Sequence, residues 1–84
     1  MKDQEQRERI VSDPKVMVGK PCIRGTRLPV RMIVNLLAHG ATFDEIFEEY
    51  PRLTVDDIRA CLLYAVDALD ERYSATTLAA SSSR

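Results

Sequence analysis

The apolar and polar residues between Gly40 and Ile58 follow a pattern that predicts two helices joined by a tight turn. The first helix has an apolar stripe at the i, i+3, i+4, i+7 spacing, formed by Phe43, Ile46, Phe47 and Tyr50. Thr42 has the chemistry of an N-cap and Glu45 can reach back to its amide, so the two indicate a capping box. Pro51 disfavours helical geometry at Tyr50 and therefore ends this helix.

The next helix begins at a second cap, with Thr54 as N-cap, Asp57 at the third position and Leu53 placed to pack on Ile58. We expect it to run from Val55 to about Arg72. Its predicted inward face is Ile58, Leu62, Ala65, Val66 and Leu69, and its outward face is marked by Asp56, Arg59, Asp67 and Asp70. Leu63 falls on the outward face beside Tyr64, which indicates either ordinary surface leucines or a second buried face.

A further helix is predicted before this pair, since Pro29 suits a first helical turn and Gly40 suits the position after a helix end. Its apolar face is Val30, Ile33, Val34 and Leu37. His39, at the helix C-terminus, is interpreted as a local capping group. The sequence thus predicts a mainly α, three-helix domain with a helix-turn-helix outline, a pattern that a bundle without any nucleic-acid role would also show.

Short β-favouring pieces precede the helices, at Ile10-Val11, Val16 to Val18 and Cys22-Ile23. Because two-stranded ribbons are marginal in water, we expect a second chain to complete this segment. Residues 1–9 are interpreted as a polar, solvated lead-in, residues 10–73 as the single domain, and the Ser, Thr and Ala-rich residues 74–84 as a disordered tail.

The net charge of −1 conceals a division along the chain. Residues 14–39 carry five basic side chains and no acidic one, whereas residues 40–84 carry four basic and nine acidic ones. Such a division indicates a basic surface that could face phosphate, or only the uneven charge common in small domains.

Size and cysteine usage indicate a small, associating, cytoplasmic protein. A chain of 84 residues buries only about 60% of its extended surface, so we expect a homodimer. Cys22 and Cys61 fit neither zinc spacings nor a secreted disulfide framework and are interpreted as reduced cysteines. Without a signal peptide or a run of about 18 apolar residues, the protein is expected to be neither exported nor membrane-spanning.

Catalytic chemistry is not evident in the sequence. Gly19-Lys20 is not a phosphate loop, because Pro14 stands where Gly is required and Pro21 where Ser or Thr is required. No nucleophile elbow or metal-ligand cluster is present, so we expect no enzyme and no cofactor.

One block of residues resembles a known family. The stretch Gly-Lys-Pro-Cys-Ile-Arg-Gly-Thr-Arg-Leu-Pro-Val from Gly19 to Val30, followed by Leu36 to Gly40, Tyr50 to Thr54 and Asp57 to Ala60, is similar to domain-of-unknown-function family 433. The resemblance covers residues 8 to about 70. It implies a homeodomain-like domain with a β segment that tends to dimerise. It also implies a VapB-like antitoxin role, with a PIN-like ribonuclease as partner.

Two sets of candidate site residues follow. DNA contact is assigned to Lys20, Arg24, Arg27, Arg31 and Arg59, although the basic loop could equally form salt bridges to the acidic helix at 44–49. Asp56 and Asp57 disfavour phosphate at the start of the last helix. Partner contact is assigned to Leu63 and Tyr64 as apolar anchors, with Arg72 or Arg84 as the charged contact. The sequence leaves two hypotheses, a DNA-binding antitoxin that represses its own promoter and a protein-binding module that does not touch DNA.

Overall fold

The computed structural model describes the backbone of residues 2–15 and 19–82 and the side chains of residues 3–15 and 19–70. The elements in chain order are α1 (Lys2–Arg7), β1 (Ile10–Val11), β2 (Cys22–Ile23), α2 (Val30–Ala38), α3 (Phe43–Glu49) and α4 (Val55–Ser82). The predicted mainly helical fold with a short β ribbon is confirmed. In the backbone so described, no helix is both long and apolar enough to cross a bilayer.

Both predicted caps form. At α3 the Thr42 amide donates to Glu45 Oε1 at 2.8 Å and the Glu45 amide donates to Thr42 Oγ1 at 3.1 Å. At α4 the Thr54 amide donates to Asp57 Oδ2 at 3.0 Å and the Asp57 amide donates to Thr54 Oγ1 at 3.2 Å. Each cap satisfies amides that a helix N-terminus leaves unpaired, so both helix starts are fixed by local sequence.

α2 also ends as predicted. The chain leaves the helix at His39, and Gly40 follows with φ 94°, a left-handed conformation that glycine adopts without steric cost. His39 Nδ1 lies 2.8 Å from the Asn35 carbonyl oxygen, one turn back. The single histidine therefore has a local role at the helix end.

The β ribbon forms within one chain. β1 and β2 are antiparallel, with Ile10 opposite Ile23 and Val11 opposite Cys22, and Cys22 also forms a bridge with Pro29. Within one chain β2 thus has neighbours on both sides, and the expectation that a second chain completes the ribbon stays a prediction. The predicted piece at Val16 to Val18 lies outside the described residues.

The core is a cluster of seven buried side chains contributed by β2 and by all three predicted helices together with the turn before α4: Ile23, Val30, Ile33, Ile46, Leu53, Ile58 and Cys61. Half-buried residues of the predicted stripes of α2 and α3 pack around it. Burial of such apolar surface is the main stabilising contribution in a domain of this size.

The lead-in differs from its prediction, because residues 2–7 form helix α1. Asp3 and Glu5 in its first turn and Arg7 in its last complement the helix dipole. Six residues do not hold a helix in water alone, so packing against α4 must supply the rest. Gln6 is 7% exposed and donates to Asp56 at 3.2 Å.

α4 is longer than predicted and is rotated relative to the predicted packing. Its backbone is helical to Ser82, where the sequence predicted an end near Arg72 and a disordered tail from residue 74. Ile58 of the predicted inward face is buried, as predicted, but Leu62, Val66 and Leu69 are exposed, whereas Ala60 and Cys61 are buried. The prediction was wrong for those three leucine and valine residues because the helix has apolar residues on several sides, and contacts with α1 and α2 decide which of them are covered.

Cys61 provides a test of this packing. Burial, assisted by the nearby Asp57 carboxylate, raises the pKa of the Cys61 thiol from 9.0 to about 12. In a Cys22→Ser variant we expect no rapid reaction with a disulfide reagent at pH 8 and one full equivalent in guanidinium, because only the thiolate reacts. In the unfolded chain this thiol ionises near its ordinary pKa of 9.0, whereas in the folded protein it stays protonated to higher pH. The free energy of unfolding should therefore fall as the pH rises above 9. A thiol that reacts at once in the folded protein would contradict the packing.

Candidate functional site

The basic loop after β2 is a tightly bonded turn. The Ile23 amide donates to the Leu28 carbonyl at 3.0 Å and the Thr26 amide to the Ile23 carbonyl at 3.1 Å. Thr26 Oγ1 donates to the Ile23 carbonyl at 2.8 Å and accepts from the Leu28 amide at 3.0 Å. Gly25 has φ 77°, which a residue with a side chain rarely adopts. The Arg-Gly-Thr-Arg sequence therefore fixes the backbone of this turn.

The two arginines of the turn have different environments. The Arg24 guanidinium donates to the Glu8 carbonyl, and the Arg24 amide donates to the Arg9 carbonyl at 2.6 Å. Arg24 thus ties the turn to the chain that follows α1. Arg27 is exposed and lines an open groove of about 330 Å³ with Glu49 and Arg52. Arg52 is a basic neighbour that the sequence analysis missed, because the two residues meet only through the fold.

Lys20 and Arg31 are exposed as well, before β2 and in the first turn of α2. Among the side chains that the structure describes, ion pairs join only Arg7 to Asp67 and Arg9 to Asp56 and Asp57. The alternative of salt bridges between the basic loop and α3 is thus not realised in this part of the chain. Lys20, Arg27 and Arg31 keep exposed positive charge.

Arg59 lies apart from that group. It lines a groove with Asp3 and Gln6 of α1, whereas Arg31 lines a different groove with Ala68. Since each helical residue advances by about 100°, Arg59 and Ala68 face opposite sides of α4. The structure therefore does not bring the five residues assigned to DNA into one surface.

The start of α4 contacts the chain's own N-terminal segment. Arg9 Nη1 lies 3.0 Å from Asp57 Oδ1, and Arg9 Nη2 lies 3.7 Å from Asp56 Oδ2. Gln6 contacts Asp56 as well. The two carboxylates are thereby paired within the molecule, while Val55 and Asp56 remain exposed.

Further along α4, Arg7 and Asp67 hold α1 in place. The guanidinium forms two hydrogen bonds to the carboxylate, at 2.8 and 3.1 Å. The hydrogen bonds from Arg7 hold the pKa of Asp67 below its ordinary value. The ion pair therefore stabilises the fold at pH values above the ordinary carboxyl pKa, and this contribution is lost as the pH falls through the lowered pKa and Asp67 is protonated. Because both side chains are exposed, the contribution to overall stability is small.

Leu63 and Tyr64, the two predicted apolar anchors, lie on different surfaces. Leu63 is half-buried and shares its groove with Asp3 and Gln6 of α1. Tyr64 is 41% exposed. Leu63 therefore belongs to the second, covered face that the sequence allowed for, while Tyr64 remains accessible.

Tyr64 stands between two apolar grooves that both include Pro21. One has about 210 Å³ and is lined by Ile10, Val11 and the Arg7–Asp67 pair. The other has about 340 Å³ and runs between α2 and α4, past Val34, Ala38, Ala65 and Ala68. Pro21 and the small residues were missed by the sequence analysis. The feature of the sequence that could have indicated the larger groove is alanine on the facing sides of two helices, Ala38 on α2 and Ala65 and Ala68 on α4. Larger side chains at these positions would fill the groove.

The charged partner contacts cannot be placed in the same way. Arg72 lies on the backbone of α4, and its side chain is outside the described part. Arg84 is outside the described residues altogether. In the described part of the chain, no three His, Cys, Asp or Glu side chains gather as they would around a metal ion.

Residues 10–65 match the model of a family described as "Protein of unknown function (DUF433)". A crystal structure of a DUF433 member from Anabaena variabilis is similar, with a TM-score of 0.70 and 32% identity. The match covers 81% of this chain and 67% of that one. The likeness in fold therefore extends over most of this chain.

Two uncharacterized proteins are also similar in sequence. Protein y4eO of Sinorhizobium fredii is 36% identical over 59 residues, which are 70% of this chain. The match spans only 27% of that relative's length. A protein of Archaeoglobus fulgidus is 74% identical over 29 residues, which are 34% of this chain and 81% of that protein.

The different environments of Arg24 and Arg27 predict different effects on stability. Arg24→Ala removes the bond to the Glu8 carbonyl and should lower the free energy of unfolding by about 1 kcal/mol. Arg27→Ala, its matched control in the same turn, should change it by less than about 0.5 kcal/mol. Urea unfolding followed by circular dichroism measures both. Equal effects of the two substitutions would contradict the structural role of Arg24.

Proposed function

Because the chain belongs to DUF433, a family of proteins of unknown function, we propose its role from its surfaces: it is the antitoxin of a type II toxin-antitoxin pair. In this proposal it neutralises a PIN-like ribonuclease and contacts the DNA of its own promoter. The support is the resemblance of the Gly19 to Val30 block together with two kinds of exposed surface, the groove that Arg27 lines and the grooves beside Tyr64. The observation that carries the proposal is that the Arg27 groove shares no described lining residue with the grooves beside Tyr64, since one surface can then bind DNA while the other binds protein.

The DNA contact is proposed to run through the basic turn. Lys20, Arg27 and Arg31 have exposed positive charge. Arg27 lies in the turn whose backbone is held by the hydrogen bonds of Thr26, whereas Lys20 precedes β2 and Arg31 lies in α2, on the larger groove beside Tyr64. Such charges bind phosphate and position a protein on DNA without reading bases. The start of α4 carries the carboxylates of Asp56 and Asp57, paired with Arg9, which supports a contact of this backbone-directed kind over base reading by that helix.

The protein contact is proposed to use Tyr64 as its anchor. An exposed aromatic side chain between two apolar grooves with charged residues nearby resembles the centre of a protein interface. Arg72 or Arg84 would then reach the carboxylates that a PIN-like active site gathers around its metal. The proposal assigns no catalytic step to this chain and places it in the cytoplasm, where its thiols remain reduced.

A second candidate function is a protein-binding module that does not contact DNA. It is supported by the contacts of Arg9 with Asp56 and Asp57, which occupy the end of α4 that would otherwise enter a groove of the DNA. Its protein surface is the same, so the two candidates differ only in the basic turn.

The DNA contact can be measured by fluorescence anisotropy on a duplex from upstream of the gene, over a series of salt concentrations. Binding should weaken steeply with salt, and Arg27→Ala should flatten the slope of log K against log salt by about 0.9 per protomer. Lys15→Ala, which removes the same charge outside the turn, should have a smaller effect. If wild-type protein does not bind at low salt, the second candidate is favoured; if Arg27→Ala binds like wild type, the turn is not the contact.

Neutralisation can be measured as inhibition of the purified ribonuclease encoded by the neighbouring gene. Tyr64→Ala should weaken inhibition at least tenfold, as expected for an aromatic anchor, while Glu48→Ala on α3 should not change it. Deletion of residues 74–84 should relieve inhibition if Arg84 is used, and Arg72→Ala should relieve it if the helix is used. Full inhibition by all these variants would rule out both the Tyr64 surface and the arginine contact.

A further inference from the structure

An exposed apolar stripe runs along α4 beside α1, where Leu62 and Val66 line an open groove of about 300 Å³ with Asp3 and Gln6. Val55, Leu62, Val66 and Leu69 are 42%, 37%, 50% and 63% exposed. At about 100° per residue, these four positions fall within about 60° of one another. Single exposed apolar residues are ordinary on protein surfaces, but an aligned row of them on one helix marks an interaction surface.

The spacing of the stripe specifies a helix as the partner. Together with Arg59, its positions are 55, 59, 62, 66 and 69, separated by four, three, four and three residues. This is the repeat by which one helix packs against another along a shared seam. The opposite sides of α4 are already in use, by α1 near Asp67 and by α2 near Ala68.

The charged residues beside the stripe indicate which helix binds to it. Arg59 and Asp70 are both exposed, and neither forms an ion pair with any side chain described in the structure. They are eleven residues apart, so they lie on the same flank of the stripe and about 16 Å apart along the helix. A copy of α4 running in the opposite direction would bring each charge beside its opposite.

We propose that this face binds a second copy of the chain, with the two α4 helices antiparallel about a two-fold axis between Leu62 and Val66. Leu62 then packs against Val66 of the second copy, and Leu69 packs against the aliphatic part of its Arg59. The Arg59 guanidinium lies beside Asp70 of the second copy. Because the interface is isologous, every contact occurs twice.

Other arrangements fit less well. In a parallel pair, Arg59 and Asp70 stay at different heights and do not meet. β2 offers no open edge to a second copy, since it already lies between β1 and Pro29. The inference is independent of the antitoxin proposal and explains why Arg59 lies apart from the other basic residues assigned to DNA.

The mass of the full chain in solution tests the interface. Sedimentation at tens of micromolar should give about twice 9.5 kDa for wild type and 9.5 kDa for Val66→Asp, with helicity retained in circular dichroism. Tyr64→Ala is the matched control, because Tyr64 is similarly exposed on another side of α4, and it should remain dimeric. A monomeric wild type, or a dimer lost in Tyr64→Ala and kept in Val66→Asp, would overturn the proposal.

A charge exchange tests the antiparallel direction and remains informative if Val66→Asp fails to fold. Arg59→Glu and Asp70→Lys should each raise the dimer dissociation constant roughly tenfold, since each breaks two exposed ion pairs and adds repulsion. Combining the two substitutions restores both pairs with reversed charge, so the dissociation constant should return to near the wild-type value. Additive losses in the double variant would overturn the antiparallel arrangement.

Discussion

The carboxylate of Asp57 links the start of α4 to the N-terminal segment that follows α1. It accepts the Thr54 amide that begins α4 and pairs with Arg9 from the segment after α1, while its side chain remains only 12% exposed. A charge at that depth is stable only when its partners are in place. The Arg9 backbone carbonyl accepts the Arg24 amide in turn, so the helix cap, the N-terminal segment and the basic turn form one connected network.

The features that the sequence predicted are those decided within a few residues. The caps at Thr42 and Thr54, the end of α2 at Gly40 and the strands Ile10–Val11 and Cys22–Ile23 each depend on neighbours in the chain, and each was placed correctly. α1 was missed because its polar composition gives no helical stripe, and its stability comes from residues fifty and sixty positions away. The side of α4 that is buried was also decided at a distance, since α1 covers Leu63 and leaves Leu62 exposed.

The candidate site was predictable in composition but not in arrangement. An exposed basic turn follows from the charge of residues 14–39, whereas the separation of Arg59 and the grooves beside Tyr64 follow from helix packing. The block that carries the family resemblance is used largely by the fold itself. Cys22 and Ile23 are buried, the Pro21 carbonyl accepts the Val30 amide at the start of α2, and Thr26 closes the turn. A sequence block can therefore identify a family securely and still say little about what its members bind.

The short helix α1 acts as an internal competitor for one face of α4. α1 has only six residues and is held against α4, beside Leu63, by a few side-chain contacts. Local opening of such a helix requires much less free energy than unfolding of the whole domain. Leu63 is half-buried, so a protein that binds its covered part gains access only in the fraction of molecules in which α1 has moved away, and its apparent affinity is reduced by that fraction. Its association rate would level off at high partner concentration, at the rate at which α1 opens. The same six residues make the N-terminus a sensitive position for a fusion tag, which would change that rate without touching the binding surface.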